Sequence, residues 1–470
     1  MDNRTLKTPY IDFVGSSANE VTGSAYLIRY MNLHILVDYG LRQTSNDKDD
    51  YIINSKRHKD IKPKRLDAII LTHCHIDHCG LVPKLYKEGC KCTLYVPKGT
   101  KSLLTIMWQD CLKIFTQEYE RFERKPLYDQ KDIDNALNHI KECELNQTCI
   151  LTEDTHKSFV AFTYYNAQHI VKARQIYFTF NDVMTVKHIG FTGDISNYKK
   201  RYYLQPLDKL PHCDALIGEC TYSDSKRLHK ERDRRTDINK LDTAIKFAKE
   251  HKSKVVIPTF SLNRLQDILT VLYEMYGNNP PLKIIVDSPL GQKISNTWEY
   301  LIENDDKMWR AVSKWDKIMW ISDFKDSLAF SKLQEPLIVL AGGGMVSGGR
   351  ATFWCKECLS NPFNYIVFTG YSTPESVAGQ IKSGEAKYVT IDGKKVKSKA
   401  KTITLNSFSS HCDYRHLMDY YSEVSYNKIC LVHSEQESKI KFAKDLRENL
   451  SELNRSSKVI VINKDTKIHF

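Results

Sequence analysis

Short apolar, β-branched runs alternate along the chain with stretches whose apolar residues recur at helical spacing. The runs LHILVDYG at 33–40, LDAIILTH at 66–73 and KVVIPTF at 254–260 predict strands. Between such runs, TDINKLDTAIKFAKE at 236–250 places Ile238, Leu241, Ile245 and Ala248 on one face. That spacing predicts a helix packed on a sheet by one side, with Thr236 or Asp237 as its N-cap. Strands alternating with one-sided helices are an α/β signature. No short repeat, low-complexity tract or long Pro/Gly/Ser linker separates independent halves, so any second domain is expected to pack tightly against the first.

Charge narrows the partners. Lys plus Arg total 69 against 57 for Asp plus Glu, a net charge of +12, which favours nucleic acid or an anionic membrane surface. No uninterrupted apolar run approaches the roughly 20 residues of a membrane span. The first residues, MDNRTLKTPYIDFVGSS, hold neither an apolar h-region nor a small-residue cleavage site, so a cytoplasmic protein with no membrane partner is expected. Thirteen cysteines, an odd number spread from Cys74 to Cys430, suit a reducing compartment better than a disulfide framework. Cys355 and Cys358 form the only C-x-x-C; without a second pair they read as packing or surface thiols. Positive charge concentrates in KRLHKERDRR at 226–235 and KKVKSKAK at 394–401, each read first as a solvated loop or exposed strand face.

The densest chemistry lies in HCHIDHCG, where His73, His75, Asp77 and His78 follow the apolar segment AIIL at 68–71. Imidazole and carboxylate suit zinc, and residues 73 and 75 of an extended segment point the same way. Asp77 and His78, past the turn, can address a second ion. One short segment rarely completes two metal sites, so further donors are sought at strand ends. His169 follows FVAFTYYNAQ, Asp194 lies in HIGFTGDIS, and His433 ends KICLVH. Asp194 is the expected bridge between the ions. Asp38, at the end of HILVD, reads either as a turn residue or as an acceptor orienting a ligand histidine, the second being favoured. All donors but one precede residue 195 and the last stands at 433. A domain inserted into the metal-binding fold explains that gap without a structureless loop.

These residues stand in a longer ordered series: EVTGSAYLI at 20–28, GECTYSD at 218–224, PTFSLNRLQDIL at 258–269, GGGMVSGGR at 342–350, VFTGYSTPESVAGQI at 367–381, FSSHCDY at 408–414 and LVHSE at 431–435. With that series the chain resembles the β-CASP group of metallo-β-lactamase-fold nucleases over nearly its whole length. It is most similar to the endonuclease subunit of the mRNA 3′-end cleavage and polyadenylation machinery and to prokaryotic relatives. The resemblance implies an α/β fold, a metallo-β-lactamase αβ/βα sandwich interrupted by an α/β β-CASP domain. Expected boundaries are 1–222 and 403–470 for the first and 223–402 for the second. It implies one zinc on His73, His75 and His169, another on Asp77, His78 and His433, and Asp194 between them, with manganese or iron as other ions for the same donors. It also brings in Glu219 of motif A and His411 of motif B, which spacing alone does not select, and with Asp77 these are the expected catalytic residues. One loop departs from the pattern: relatives read A-G-H-x-x-G-S, whereas this chain has AQHIVKA at 167–173, so the loop around His169 is expected to be reshaped.

The activity so implied is hydrolysis of RNA phosphodiesters by a hydroxide that two zinc ions activate, leaving 5′-phosphate and 3′-hydroxyl ends, with endonucleolytic and 5′–3′ exonucleolytic modes both open. His411, kept protonated by Glu219, is the expected proton donor to the leaving oxygen. GGGMVSGGR lacks the Lys-Ser/Thr ending of a nucleotide P-loop, so no nucleotide cofactor is expected. Arg264, Ser347 and Arg350 are candidate contacts to single-stranded RNA, and the assembly is left open between a homodimer and a processing complex. Three alternatives stand beside this reading: a DNA nuclease, against which the motif C histidine His433 counts; a small-ester or thioester hydrolase; and a non-catalytic scaffold.

Overall fold

The apolar runs fold as strands where their alternation ends at a turn. In the computed structural model, which describes residues 9–470 other than 45, 154–157, 183, 198–203, 225–232, 303–306, 371, 374–375 and 465, they form Leu33–Val37, Ala68–Ile70 and Lys254–Thr259. The first two are parallel neighbours in a seven-stranded sheet. Edge to edge it runs Lys467–His469, Tyr10–Phe13, Tyr26–Tyr30, Leu33–Val37, Ala68–Ile70, Thr93–Pro97 and Ile140–Cys143. A second seven-stranded sheet runs Lys458–Val461, Lys428–Val432, Ala215–Glu219, Val186–Phe191, Arg174–Asn181, Phe159–Asn166 and Thr148–Glu153.

The chain divides into two units, Met1–Leu228 with Ser410–Phe470, and His229–Ser409. In the first unit the two sheets face one another. Ile28, Ile35 and Ile70 from one sheet share a continuous buried core with Phe162, Phe178, Ile217 and Val432 from the other, and helix Gln436–Glu452 packs outside the second sheet. This is a sandwich whose strands bury both faces, which is why their sequences read as near-continuous apolar runs.

The second unit is a parallel six-stranded sheet, ordered Ile318–Trp320, Lys283–Asp287, Leu337–Gly342, Lys254–Thr259, Tyr365–Phe368 and Lys401–Thr404. Its helix Arg234–Glu250 buries Leu241, Ile245 and Ala248 as the spacing predicts, with Ile238 half-buried. The cap is one turn earlier than expected: Asp233 accepts from the Arg235 and Thr236 N–H groups at 3.1 and 3.0 Å. Asp237 is instead buried and accepts from the Ser407 N–H at 2.7 Å. Cys355 and Cys358 lie in this unit's core as packing thiols. Of the basic run at 226–235, residues 226–232 lie outside the described residues, while Lys394–Lys397 forms one strand of a hairpin with Tyr388–Ile391. Among the described residues no helix is long and apolar enough to cross a membrane.

Candidate metal centre

The donors gather at the carboxyl ends of strands in the first unit. Strands Lys428–Val432, Ala215–Glu219 and Val186–Phe191 are mutually parallel, so His433, Glu219 and Asp194 emerge at one edge of their sheet. Phe159–Asn166 runs the same way and delivers His169. In the facing sheet, Leu33–Val37 ends at Asp38 and Ala68–Ile70 leads to His73 and His75, after which the short helix Ile76–Cys79 carries Asp77 and His78. Loops at strand ends can differ without disturbing the sandwich, which is why such edges host sites.

Three donor clusters result: His73, His75, His169 and Asp194; Asp77, His78 and His433; and Asp194, Glu219 and His411. In the first, His75 Nδ1 stands 3.2 Å from His73 Nε2 and 3.1 Å from His169 Nε2, and Asp194 Oδ2 lies 3.7 and 3.5 Å from those two Nε2 atoms. Donors tetrahedrally placed about 2.0–2.1 Å from a zinc-sized ion are about 3.3–3.4 Å apart, so this spacing fits one ion. In the second, His433 Nε2 is 3.5 Å from Asp77 Oδ2. Asp194 Oδ1 reaches toward the same cluster, 3.4 Å from His78 Nε2 and 3.6 Å from His433 Nδ1. Asp194 Oδ1 and His433 Nε2 are buried without hydrogen-bond partners among the described residues, and a cation beside Asp77 and His78 satisfies both.

Outer contacts orient the donors. Asp38 takes His78 Nδ1 at 2.7 Å, leaving Nε2 for the cluster, and is itself fixed by the Thr72 N–H at 2.8 Å and Thr72 hydroxyl at 2.7 Å. Of its two earlier readings, the orienting acceptor is the geometry found. His169 Nδ1 donates to the Ser410 carbonyl at 2.7 Å, and His433 Nδ1 pairs with the Thr221 hydroxyl at 2.9 Å. Gly40 lets the neighbouring strand touch the donor loop: a Cβ there meets the Asp77 carbonyl oxygen at 1.7 Å. Thr72, Thr221 and Ser410 escaped sequence reasoning, and only Thr72, adjacent to His73, carried a positional hint.

Electrostatics match the geometry. Burial, reinforced by neighbouring imidazoles, drives His73 and His169 far below the ordinary histidine value and His75 to about 4, so all three keep a lone pair at neutral pH. Burial works against ionised Asp77 and Asp194, yet His433 and His78 hold both below the usual carboxylate value. His78 is pushed up, its burial outweighed by Asp194 and Asp38, so a metal competes there with a proton. The His411 Nδ1 stands 2.9 Å from Glu219 Oε1, which also accepts from the Ile195 N–H at 2.8 Å. Burial disfavours a charged His411, but Glu219 prevails and raises it to about 9.

The three candidate substrate contacts lie in the second unit. Arg264 is buried and donates to the Thr369 carbonyl. Arg350 donates to Ser327 and the Ser322 carbonyl at 2.8 and 2.9 Å and stands 3.4 Å from Asp287. Both guanidinium groups therefore hold internal partners; Ser347 is exposed.

Residues 18–137 match the Metallo-beta-lactamase superfamily, residues 265–381 the Beta-Casp domain, and residues 395–457 the Zn-dependent metallo-hydrolase RNA specificity domain. A Thermus thermophilus protein named as a ribonuclease is 28% identical over 435 residues, covering 91% of this chain and 94% of that one. An RNase J-like protein of Methanocaldococcus jannaschii is 28% identical over 396 residues, with 83% and 86% covered. The transcription termination factor FttA of the same organism is 25% identical over 456 residues, covering 93% of this chain and 68% of its own length. Among solved structures, a protein of unknown function from Enterococcus faecalis superposes with a TM-score of 0.56 at 12% identity, covering 98% of this chain and 100% of that one, a likeness of fold alone. The superfamily implies a divalent metal, for which the His/Asp clusters supply donors.

Proposed function

From a chain that belongs to the β-CASP group of the metallo-β-lactamase superfamily, we propose a metal-dependent ribonuclease that hydrolyses phosphodiester bonds of single-stranded RNA with two zinc ions. The observation that carries the reading is the Glu219–His411 pair set beside two donor clusters, with Asp194 in the first and its Oδ1 3.4 Å from His78 Nε2 of the second. His73, His75, His169 and Asp194 hold one ion, and Asp77, His78 and His433 hold the other with Asp194. When bound, such ions supply an activated water at neutral pH and offset charge on the phosphoryl oxygens.

This chain's own residues supply the rest. Glu219, buried and fixed by the Ile195 and Thr221 N–H groups, is an immobile anion that holds Nδ1 of His411 and keeps the ring protonated. Nε2 of His411 then faces the reaction with a proton to give to the leaving 3′ oxygen, so that the products are a 5′-phosphate and a 3′-hydroxyl. Asp38 and the Ser410 carbonyl keep the rings of His78 and His169 from turning. Support for RNA as the substrate comes from the match to the RNA specificity domain, which includes His411 and His433, and from relatives named for ribonuclease activity.

The test is to incubate metal-analysed protein with 5′-labelled single-stranded RNA, matched DNA and a chromogenic phosphodiester, with His411→Ala as control. RNA cleavage that the variant loses is the expected result, and the label pattern separates internal cuts from degradation at the 5′ end. Cleavage of DNA alone, or of no nucleic acid despite two bound metals, overturns the proposal.

A further inference from the structure

A second concavity of about 490 Å³ opens in the first unit, a volume typical of ligand sites. It lies behind the donor loop and is separate from the donor clusters. Gly40 is in its lining, and the Gly40 N–H donates to the Ser24 carbonyl at 2.9 Å while the Ser24 N–H donates to the Asp77 carbonyl at 2.8 Å. One layer of backbone therefore divides the cleft from a proposed metal ligand.

The lining is strongly basic. Arg42, Lys56, Arg57, Lys59 and Lys464 all contribute, and among the described residues no carboxylate does. Arg42 is held from behind by Glu20 and Asp50 at 2.6 and 2.5 Å, and Arg57 by Glu88, so these two are structural posts. Lys56, Lys59 and Lys464 are exposed and form no ion pair among the described residues. Three ammonium groups around one cavity, none of them ion-paired among the described residues, favour a polyanion. Lys56 and Lys59 follow helix Asp47–Ser55, whereas Lys464 comes from the far end of the chain, so a local sequence bias toward lysine does not account for the cluster.

We propose that this cleft binds the phosphate backbone of the RNA strand beyond the scissile bond, as an extension of the substrate site. The inference rests on the ribonuclease reading and deepens it: strands long enough to reach from the donor clusters around the 40–42 segment bind more tightly than short ones, through counterion release and without base preference.

The experiment measures fluorescence anisotropy of labelled 6- and 24-nucleotide RNAs on the full chain carrying His411→Ala, which prevents cutting. Lys56→Gln, Lys59→Gln and Lys464→Gln are combined. A control removes three lysines elsewhere on the exposed surface of the first unit, Lys113→Gln, Lys131→Gln and Lys441→Gln, with the same loss of charge. In the cleft variant the 24-mer should bind roughly tenfold or more weakly at about 0.1 M salt, and its log–log salt slope should fall by about 2. The 6-mer should bind as before, the control should change neither length, and Arg at all three positions should restore affinity. With His411 intact, turnover of a chromogenic phosphodiester should be unaffected by the cleft changes. An unchanged 24-mer affinity and slope, or equal losses for both lengths or for the control, overturns the cleft inference while RNA cleavage stands. A chain that neither binds nor cuts RNA overturns both readings.

Discussion

The proposed separation of proton donor from metal donors makes two residues testable apart. His411 is fixed through Nδ1 by Glu219, so its removal should leave the His73–His75–His169–Asp194 and Asp77–His78–His433 clusters intact. His411→Ala is expected to lower kcat by about 10²- to 10⁴-fold with metal content unchanged, checked by elemental analysis beside RNA turnover. A parallel fall in bound metal means that His411 is a ligand. Asp38 makes the opposite prediction. It sits at φ 56°, a left-handed conformation that Asn also tolerates, so Asp38→Asn keeps the backbone while removing the charge that aims His78. Metal affinity should fall roughly 10- to 100-fold in chelator competition, with the fold unaltered by circular dichroism. At this scale the sequence displayed His73 to His78 openly because they are contiguous. The Glu219–His411 contact spans 192 positions, and no periodicity links its partners, so only the ordered motif series pointed to it.

The loop bearing His169 shows how an element tolerates a sequence that departs from its pattern. Gln168 and Lys172, which stand where relatives carry glycine, have φ of 58° and 59°. The loop thus takes a left-handed backbone at both positions, at a cost of about 1–2 kcal/mol each for a residue with a Cβ. It is held by Ser196 N–H on the Ala167 carbonyl at 3.0 Å and Arg174 N–H on the Thr72 carbonyl at 2.9 Å, which join it to the Asp194 and His73 segments. The expectation of a reshaped loop rested on the missing glycines; here both positions take the backbone region that glycine enters most freely, without glycine. Gln168→Gly and Lys172→Gly should therefore change stability by no more than about 1 kcal/mol, since relief of strain is offset by a freer unfolded chain. Lys172→Val should cost more than about 1 kcal/mol, because a β-branched residue is worst placed there. Urea midpoints of the three variants decide; a strong gain from either glycine means that the native contacts of the longer side chains contribute nothing. Strand and helix identity was legible from apolar runs and spacing, as Leu33–Val37 and Arg234–Glu250 show, whereas the cap at Asp233 was not, because several polar residues precede the helix and only the folded turn selects among them.

Across the molecule, the candidate metal donors found among the described residues all lie in the unit made of Met1–Leu228 and Ser410–Phe470. That partition was foreshadowed by the ligand-free stretch between Asp194 and His433, but periodicity could not supply the parallel order of six strands inside it, which is set by long-range pairing. The partition has a thermodynamic consequence. An ion that binds only the folded state stabilises by RT ln(1 + [L]/Kd), about 4 kcal/mol when free metal exceeds Kd a thousandfold. On the two-ion reading, removal also leaves Asp77, Asp194 and five histidine rings in a buried space without the positive charge that the ions would supply. Chelation should therefore lower the melting temperature of the first unit by several degrees while leaving that of the second where it was. Differential scanning calorimetry reads this as one of two transitions moving, and tryptophan fluorescence assigns the stationary one, because five of the six tryptophans, all but Trp108, lie in the second unit. Restoring zinc should return the shifted transition. If both transitions move together, the units unfold as one cooperative block; if neither moves, the histidine and aspartate clusters do not hold metal, and the two-ion reading of this edge of the sandwich falls with them.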